Sequence, residues 1–205
     1  MKEMEALQQL MPPPGAPDIN GGGQWVGMSE SWGKAFPSDY IRFMEIYGPG
    51  SIEDYLAILS PEPKDSILEQ ESGGMAPETA TAQLTWATSR KSDELLGASP
   101  ELIAWGIDSS ADILCWDASE ADSENWPVLV YHADDAQWRR YDCGVTVFLL
   151  GILQATLEEC PLGEESLWGK ASVKFLTTAE QLRLMRQGLD PWTGEPDPYA
   201  GMYDS

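Results

Sequence analysis

The sequence predicts a single α+β domain in which helices pack on an antiparallel-rich mixed sheet. With 205 residues and 42% hydrophobic side chains, the chain has enough apolar surface for one core and is short for two. An amphipathic helix pattern occupies residues 38–47, and two consecutive β-hairpin patterns follow in the middle of the chain. Consecutive hairpins imply an antiparallel sheet with one covered face.

The clearest helix is predicted at residues 38–47. Its apolar stripe, spaced i, i+3, i+4 and i+7, consists of Tyr40, Phe43, Met44 and Tyr47. Ser38 is the candidate N-cap, and Asp39 suits the positive first turn. Gly48 is expected to take a left-handed conformation that ends the helix. A shorter helix is predicted before it, from Trp25 to about Gly33.

The remaining elements follow from apolar runs between turn residues. The predicted strands are Ser51–Leu59, the hairpin pairs Leu102–Ile107 with Ile113–Trp116 and Trp126–Tyr131 with Trp138–Tyr141, and a short edge strand at 173–176. The predicted helices are Thr79–Arg90, Asp93–Leu96, a helix from Thr146 as cap to about Glu159, and one that starts at the Thr177–Glu180 capping box and ends at Gly188.

The chain is expected to divide into three segments. Residues 1–23 combine a helical patch with a Pro/Gly-rich linker, which contains Gly21–Gly23. Residues 24–189 form the α+β domain. Residues 190–205 form an acidic extended tail, with three prolines and no basic side chain.

Charge is the most unusual property of the composition. Thirty-four acidic residues face 12 basic ones, which gives a formal net charge of -22 and a pI near 4.1. Such a chain repels nucleic acid and anionic membranes, so a nucleic-acid binder is excluded, and it attracts basic partners. A plainer interpretation, a solvated acidic surface that serves solubility or tolerance of high salt, stays open.

A basic-free stretch indicates where a basic partner would bind. Between Lys91 and Arg139 there is no lysine or arginine, while eleven acids occur. The best candidate is the loop Asp117–Glu124, bracketed by Trp116 and Trp126, because aromatic anchors beside charges are typical of interaction hot spots. The predicted partner-binding residues are Trp116, Asp117, Glu120, Asp122, Glu124 and Trp126, with Asp108, Asp112, Asp134 and Asp135 in the hairpin turns.

Catalytic and metal-binding patterns are weak in this chain. His132 is its single histidine, so a nucleophilic triad lacks a base, and no phosphate-binding glycine motif occurs. Asp108, Ser110 and Asp112 lack the glycine and the distant glutamate of a calcium loop. The three cysteines are widely spaced and are expected to be reduced thiols. We therefore expect no enzyme, no cofactor and no metal; nine tryptophans beside many carboxylates leave a carbohydrate-active enzyme as the weaker alternative.

The compartment is expected to be the cytoplasm. The first eleven residues lack the basic-then-apolar pattern of a signal peptide. The longest apolar run, Val145–Leu153, is far shorter than the roughly 20 residues that span a bilayer.

An ordered series of short motifs resembles the SUKH superfamily, the Smi/Knr-type domain. The motifs are Trp25, Phe36–Tyr40, Tyr47–Ile52, Leu56–Ile58, Leu102–Ile107, Leu114–Trp116, Trp126–Val128 and Thr146–Leu150. The resemblance covers Gln24 to Leu157. The matching positions with a structural role in the family are Trp25, Pro37, Tyr40, Tyr47, Gly48, Gly50, Trp105 and Gly106. Phe36 stands where leucine is more usual, and Val147 where an acid commonly precedes the phenylalanine.

The resemblance implies an α+β fold and, in bacterial polymorphic toxin systems, an immunity protein that binds and neutralises a toxin, often a nuclease. Other members are regulatory protein-interaction scaffolds, which is the alternative function. The family supplies no catalytic residue to transfer. The expected partner is a cognate, basic protein toxin, and the oligomeric state is left open.

Overall fold

The computed structural model describes residues 2–15, 24–61 and 74–198. Over these ranges the chain forms six α-helices and eight β-strands. The helices are α1 (Lys2–Leu10), α2 (Gln24–Trp32), α3 (Ser38–Tyr47), α4 (Met75–Thr88), α5 (Val145–Gln154) and α6 (Thr178–Arg186). The strands are β1 (Gly50–Ile52), β2 (Leu56–Ile58), β3 (Arg90–Lys91), β4 (Leu102–Asp108), β5 (Ile113–Asp117), β6 (Val128–His132), β7 (Gln137–Tyr141) and β8 (Phe175–Thr177).

All the strands described belong to one sheet with the order β3-β7-β6-β5-β4-β2-β1-β8. Every neighbouring pair is antiparallel except β3 with β7, which is parallel. The two central hairpins, β4–β5 and β6–β7, confirm the predicted ones. The predicted fold class, a single α+β domain with a mixed, mainly antiparallel sheet, is confirmed.

Both faces of the central strands are covered, although the hairpin pattern favoured a single covered face. On one face, Tyr40 of α3 stacks edge-on against Trp116 at 4.9 Å between ring centroids, and Phe148 of α5 meets Trp105 at 6.0 Å. On the other face, Thr79 of α4 accepts a 2.9 Å hydrogen bond from the backbone N–H of Ala104. Strands β4 and β5 consist almost entirely of apolar residues, because a strand that is covered on both faces buries side chains of both faces.

The single strand predicted at Ser51–Leu59 is wrong. The chain instead makes a tight hairpin, in which β1 pairs with β2 around a turn at residues 53–55. Glu53 takes a positive φ of 50° to close the turn. The apolar spacing of Ile52, Leu56 and Ile58 suits one long strand as well as two short ones, so periodicity alone did not separate them.

Two predicted helix caps are wrong as well, because distant side chains occupy those helix ends. Ser38 is already the first residue of α3 and makes no cap bond within the helix. Thr146 lies one residue inside α5, which begins after Gly144. Gly48 has the expected positive φ of 72°, but its ψ of -177° is extended and not left-handed helical.

The later elements begin or end a few residues away from their predicted bounds. Helix α5 ends at Gln154, where Ala155 adopts a left-handed conformation, and not near Glu159. The capping box is confirmed: Thr177 Oγ1 accepts a 3.1 Å hydrogen bond from the N–H of Glu180 at the start of α6. The predicted helices 79–90 and 93–96 correspond to α4 and to a 3₁₀ turn, Asp93–Leu95.

The two ends of the chain contain ordered parts. Helix α1 belongs to the core, since Leu7 and Met11 are fully buried and Tyr47 donates a 2.6 Å hydrogen bond to the Met11 carbonyl. Residues 190–197 close a turn that returns to α6, with Asp197 N–H bonded to the Gly188 carbonyl at 2.8 Å. The predicted linker beyond residue 15, the stretch 62–73 and the tail beyond residue 198 lie outside the described residues.

Candidate functional site

The fold separates the predicted partner-binding acids into two groups at opposite ends of the sheet. The turns β1–β2, β4–β5 and β6–β7 share one end, which we call the turn end; it carries Asp108, Asp112, Asp134 and Asp135. The connection from β5 to β6 lies at the other end, which we call the loop end; it carries Asp117, Glu120, Asp122 and Glu124. The ten predicted residues therefore do not form one site.

The turn end is organised by one buried carboxylate. Asp112 is fully buried, and its two oxygens accept hydrogen bonds from the N–H groups of Ala133 at 2.7 Å and Gly163 at 2.6 Å. These bonds tie the β4–β5 turn to the β6–β7 turn and to the loop at residues 155–174. The Asp112 side chain thus holds three segments together and is not available to a partner.

Asp108 closes the same turn from inside. Its Oδ1 atom accepts hydrogen bonds from the N–H groups of Ser110 and Asp112, both at 2.9 Å. Desolvation by burial and the neighbouring Asp112 charge raise the pKa of Asp108 to about 6, although the backbone donors and the Tyr55 hydroxyl act in the opposite direction. The Asp108 carboxyl therefore has a structural role, since it is buried and closes the β4–β5 turn.

The turn end also gathers acids that the sequence did not indicate. Glu158, Glu159, Glu164 and Glu165 are exposed in the loop that Asp112 holds. Arg139 bridges two of the local acids, at 2.5 Å to Asp135 and 3.5 Å to Glu159. Only the tertiary position of this loop reveals the cluster, because residues 158–165 lie far from the basic-free stretch in sequence.

The loop end is anchored by a lysine and a glutamate. Lys34, which follows α2, donates a 2.7 Å hydrogen bond to the Ala118 carbonyl and forms a 2.9 Å ion pair with Glu101. The N–H of Glu101 in turn donates to the Ser119 hydroxyl at 3.0 Å. The loop Asp117–Glu124, which we call the acidic loop, therefore has a fixed position on the domain.

Acidic side chains cap two helices at the loop end. Glu124 accepts hydrogen bonds from both the N–H and the hydroxyl of Ser38, each at 2.8 Å, and so caps α3 from the loop. Asp39, one residue later in α3, accepts the N–H of Thr146 at 2.9 Å and so caps α5. Carboxylates at helix N-termini accept hydrogen bonds from free N–H groups and interact favourably with the positive end of the helix dipole. Desolvation by burial raises the pKa of Asp39.

The expectation that Trp116 and Trp126 anchor a partner at the surface is corrected. Trp116 is fully buried between Tyr40 and Trp105, and Trp126 is only 3% exposed. The indole N–H of Trp126 donates a 2.7 Å hydrogen bond to the Glu120 carbonyl, which stabilises the loop from below. Both rings support the loop from the core because strands β5 and β6 are covered by helices on this face.

The positions with a structural role in the resembled family lie in or beside the core. Buried rings at these positions are Trp25, Tyr40, Tyr47 and Trp105. A Cβ atom at Gly50 would lie 2.2 Å from the Leu176 carbonyl oxygen, and one at Gly106 would lie 3.3 Å from the Ala57 oxygen. Pro37 and Gly48 flank α3 on either side. These residues position the strands and α3.

The histidine and two of the cysteines have the following surroundings. His132 Nδ1 lies 3.4 Å from the Asp135 carboxylate in the β6–β7 turn. Burial raises the pKa of Cys143 to about 11 and that of Cys115 well above its ordinary value, so both are protonated thiols at neutral pH. Among residues 2–15, 24–61 and 74–198, no three His, Cys, Asp or Glu side chains converge to hold a metal ion.

Along the described part of the chain, none of the helices combines the length and the apolarity that crossing a lipid bilayer demands.

Comparison with known proteins identifies no relative: no family model matches the chain, and no curated protein or solved structure is significantly similar to it.

Proposed function

We propose that this chain is a cytoplasmic immunity protein of the SUKH type, which binds a basic protein toxin stoichiometrically and occludes its active surface. The motif order along the sequence supports the family, and the confirmed α+β fold is compatible with it. The net charge of -22 supports a basic partner. A nuclease is the toxin class with the most complementary surface, because it must hold phosphates with basic side chains.

The observation that carries the proposal is the combination of carboxylates with exposed apolar surface at the loop end. Glu120, Asp122 and Glu124 are exposed there, and Val147 at the start of α5 is 46% exposed beside Asp39 and Ser38. Interfaces combine apolar contact with a polar rim. Of the large apolar side chains that are exposed among the described residues, none lies in the turns or the 158–165 loop of the turn end. The loop end is therefore the better candidate for the contact surface.

The rigidity of the loop end favours binding without reorganisation. The loop is fixed by Lys34 and by the indole of Trp126, and Glu124 bonds directly to the first residue of α3. A pre-ordered surface loses little conformational entropy on association, which favours a tight stoichiometric complex. Charges on such a surface also accelerate the encounter with a basic partner.

The decisive experiment is co-expression with the product of the adjacent gene, which the proposal expects to be a large secreted protein with a toxic C-terminal domain. Cell survival that depends on this chain, with a one-to-one complex in solution, supports the proposal. Toxicity that persists despite expression of the folded chain refutes it. Recovery of several unrelated proteins with no effect on survival would favour the regulatory scaffold.

A charge-matched pair of variants tests the contact surface. Glu120→Gln with Asp122→Asn removes two charges at the loop end, and Asp134→Asn with Glu158→Gln removes two exposed charges at the turn end. We expect the first variant to weaken toxin binding by about tenfold, mainly through slower association, and the second to change it far less. Equal losses, or an affinity that is insensitive to ionic strength, would contradict the assignment.

A further inference from the structure

The exposed side of α4 carries no charged side chain. Residues 79–89 contain neither an acid nor a base, in a chain with 34 acidic and 12 basic residues. Helix α5 is also free of charge but is almost entirely buried, whereas α4 buries Met75, Thr79 and Ala82. The outward residues of α4 are Ala80, Thr81, Gln83, Leu84, Ala87 and Thr88. Helix α4 therefore has a composition typical of a buried helix on a face that is exposed.

The outward residues of α4 are arranged symmetrically about Leu84. This leucine is 74% exposed, the largest value among the large apolar side chains described. Ala80 and Thr88 lie four positions to either side of it, and Thr81 and Ala87 lie three. At 3.6 residues per turn, these four residues surround Leu84 on one face. An antiparallel helix of the same sequence would place each alanine opposite a threonine, so that small side chains meet and the two helices approach closely.

The absence of charge indicates what kind of surface covers this face. Acids on a face that contacts solvent, or a basic protein, are favourable, and the chain has many acids elsewhere. Acids on a face that contacts another acidic surface are unfavourable, because like charges repel each other across an interface. A second copy of this chain, with its net charge of -22, is such an acidic surface.

The two ends of α4 are complementary in charge. Glu78 lies six positions before Leu84, and the exposed Arg90 lies six positions after it. In an antiparallel pair centred on Leu84, the end of one helix that carries Glu78 meets the end of the other that is followed by Arg90. The dipoles of the two helices then also run in opposite directions, with each positive end beside a negative one. Both interactions favour an antiparallel pair of identical helices.

We propose that the exposed face of α4 binds a second copy of this chain, in a two-fold pair of antiparallel α4 helices centred on Leu84. The 14-residue helix is about 21 Å long, so the contact is smaller than a standard interface of about 1,600 Å². We therefore expect a weak dimer, with a dissociation constant on the order of 10–100 µM. Helix α4 lies on the sheet face opposite to α3 and α5, so the pairing leaves Ser38 and Val147 uncovered. The inference is independent of the proposed function.

The experiment is sedimentation velocity over a range of concentrations, from about 5 µM to about 1 mM, which brackets the expected dissociation constant. We expect the 22.6 kDa monomer to give way to a species of twice that mass. Added sodium chloride is expected to strengthen the dimer, because it screens the repulsion between two acidic copies. A chain that is monomeric throughout, or a dimer that dissociates as salt is added, would overturn the proposal.

A matched pair of variants locates the contact. Leu84→Glu places a carboxylate next to its own copy at the two-fold axis, and we expect the dissociation constant to rise by about tenfold or more. Leu182→Glu adds the same charge to α6, where the leucine is 44% exposed, and we expect a change of less than about twofold. Circular dichroism checks that both variants fold. Equal weakening by the two variants, or an unchanged dimer in Leu84→Glu, would refute the α4 face.

NMR spectra of the isotope-labelled chain at several concentrations supply a second measurement. We expect the backbone amides of Ala80, Gln83 and Ala87 to shift as the concentration rises, with the midpoint found by sedimentation, and the amide of Leu182 to stay in place. Shifts at α6 and not at α4 would place the contact elsewhere and contradict the inference. If the α4 face is covered within one chain, its amide shifts will not depend on concentration, which contradicts it equally. A monomeric chain that still protects cells from a toxin would refute the dimer alone.

Discussion

The Asp39 carboxylate accepts a hydrogen bond from the backbone N–H of Thr146 at 2.9 Å, across 107 residues of chain. The bond joins the first turn of α3 to the first turn of α5. A Cβ atom at Gly144 would lie 2.5 Å from Asp39 Oδ2, so the glycine before α5 lets the carboxylate approach. An acid that suits the start of its own helix thus caps a different helix.

Replacing Asp39 tests this cap. Asp39→Ala leaves the Thr146 N–H without its acceptor, and we expect the free energy of unfolding to fall by about 1 kcal/mol. Asp39→Asn keeps one acceptor oxygen and is expected to cost less than the alanine variant. The measurement is urea unfolding, with hydrogen exchange at Thr146 as the local reporter. Equal stability of Asp39→Ala and the unaltered chain would show that the bond contributes nothing.

Gly50 tests the close approach of β1 and β8. In Gly50→Ala the new methyl would lie 2.2 Å from the Leu176 carbonyl oxygen and 2.8 Å from Phe175 Cζ, so the main chain of β8 must move. We expect the free energy of unfolding to fall by about 2–3 kcal/mol.

The matched control is Gly27→Ala. This glycine lies in α2, and an added Cβ meets nothing within 4 Å, so the change is expected to stabilise the chain by about 0.5–1 kcal/mol. If both variants behaved alike in urea unfolding, the contact between β1 and β8 would not be the reason for glycine at position 50.

Local patterns in the sequence were sufficient for much of the fold. The stripe of α3, the two central hairpins and the Thr177–Glu180 capping box depend on residues close together in the chain, and all three are present. The turn at residues 53–55 was missed because a hairpin of two three-residue strands leaves the same apolar spacing as one strand. The periodicity of apolar residues over a short segment does not indicate where the chain turns from one strand into the next.

Less of the candidate site could be predicted from the sequence, because the site depends on contacts between residues that are far apart in the chain. Glu124 meets Ser38 across 86 positions, and Asp112 reaches Gly163 across 51. The acidic loop was correctly identified as a loop, but the burial of Trp116 follows from the helices that cover β5. A tryptophan beside charges looks the same in sequence whether its ring points into the core or into solvent.

Asp112 is expected to be the most sensitive acid at the turn end. Asp112→Asn has a single acceptor oxygen, so one of the two N–H groups, of Ala133 or of Gly163, loses its partner in a fully buried position. We expect the free energy of unfolding to fall by about 1–3 kcal/mol. Asp134→Asn, an exposed neighbour, is the control and should change it by less than about 0.5 kcal/mol.

Hydrogen exchange distinguishes the role of Asp112 as a link between loops from a purely local one. Faster exchange at Ala133 or at Gly163, whichever N–H loses its acceptor in Asp112→Asn, is the expected result. Faster exchange confined to the β4–β5 turn would contradict it.

Asp108 makes the stability of the chain depend on pH. Its pKa is about 6 in the folded chain, against about 3.9 for an unperturbed aspartate, so the folded state binds more protons than the unfolded state between these two values. Stability then falls as pH rises from about 4 through 6, because the buried carboxyl must ionise beside Asp112. Above about pH 7 the full cost, on the order of 3 kcal/mol, is present.

Asp108→Asn isolates this contribution. The amide oxygen retains the acceptor for the N–H groups of Ser110 and Asp112, but the side chain no longer ionises. We expect the variant to gain stability relative to the unaltered chain as pH rises from 4 to 7, with the difference levelling off above that range. Urea unfolding at a series of pH values measures it. A difference that does not change with pH would mean that Asp108 titrates like an exposed aspartate, and the desolvation of the β4–β5 turn would then be refuted.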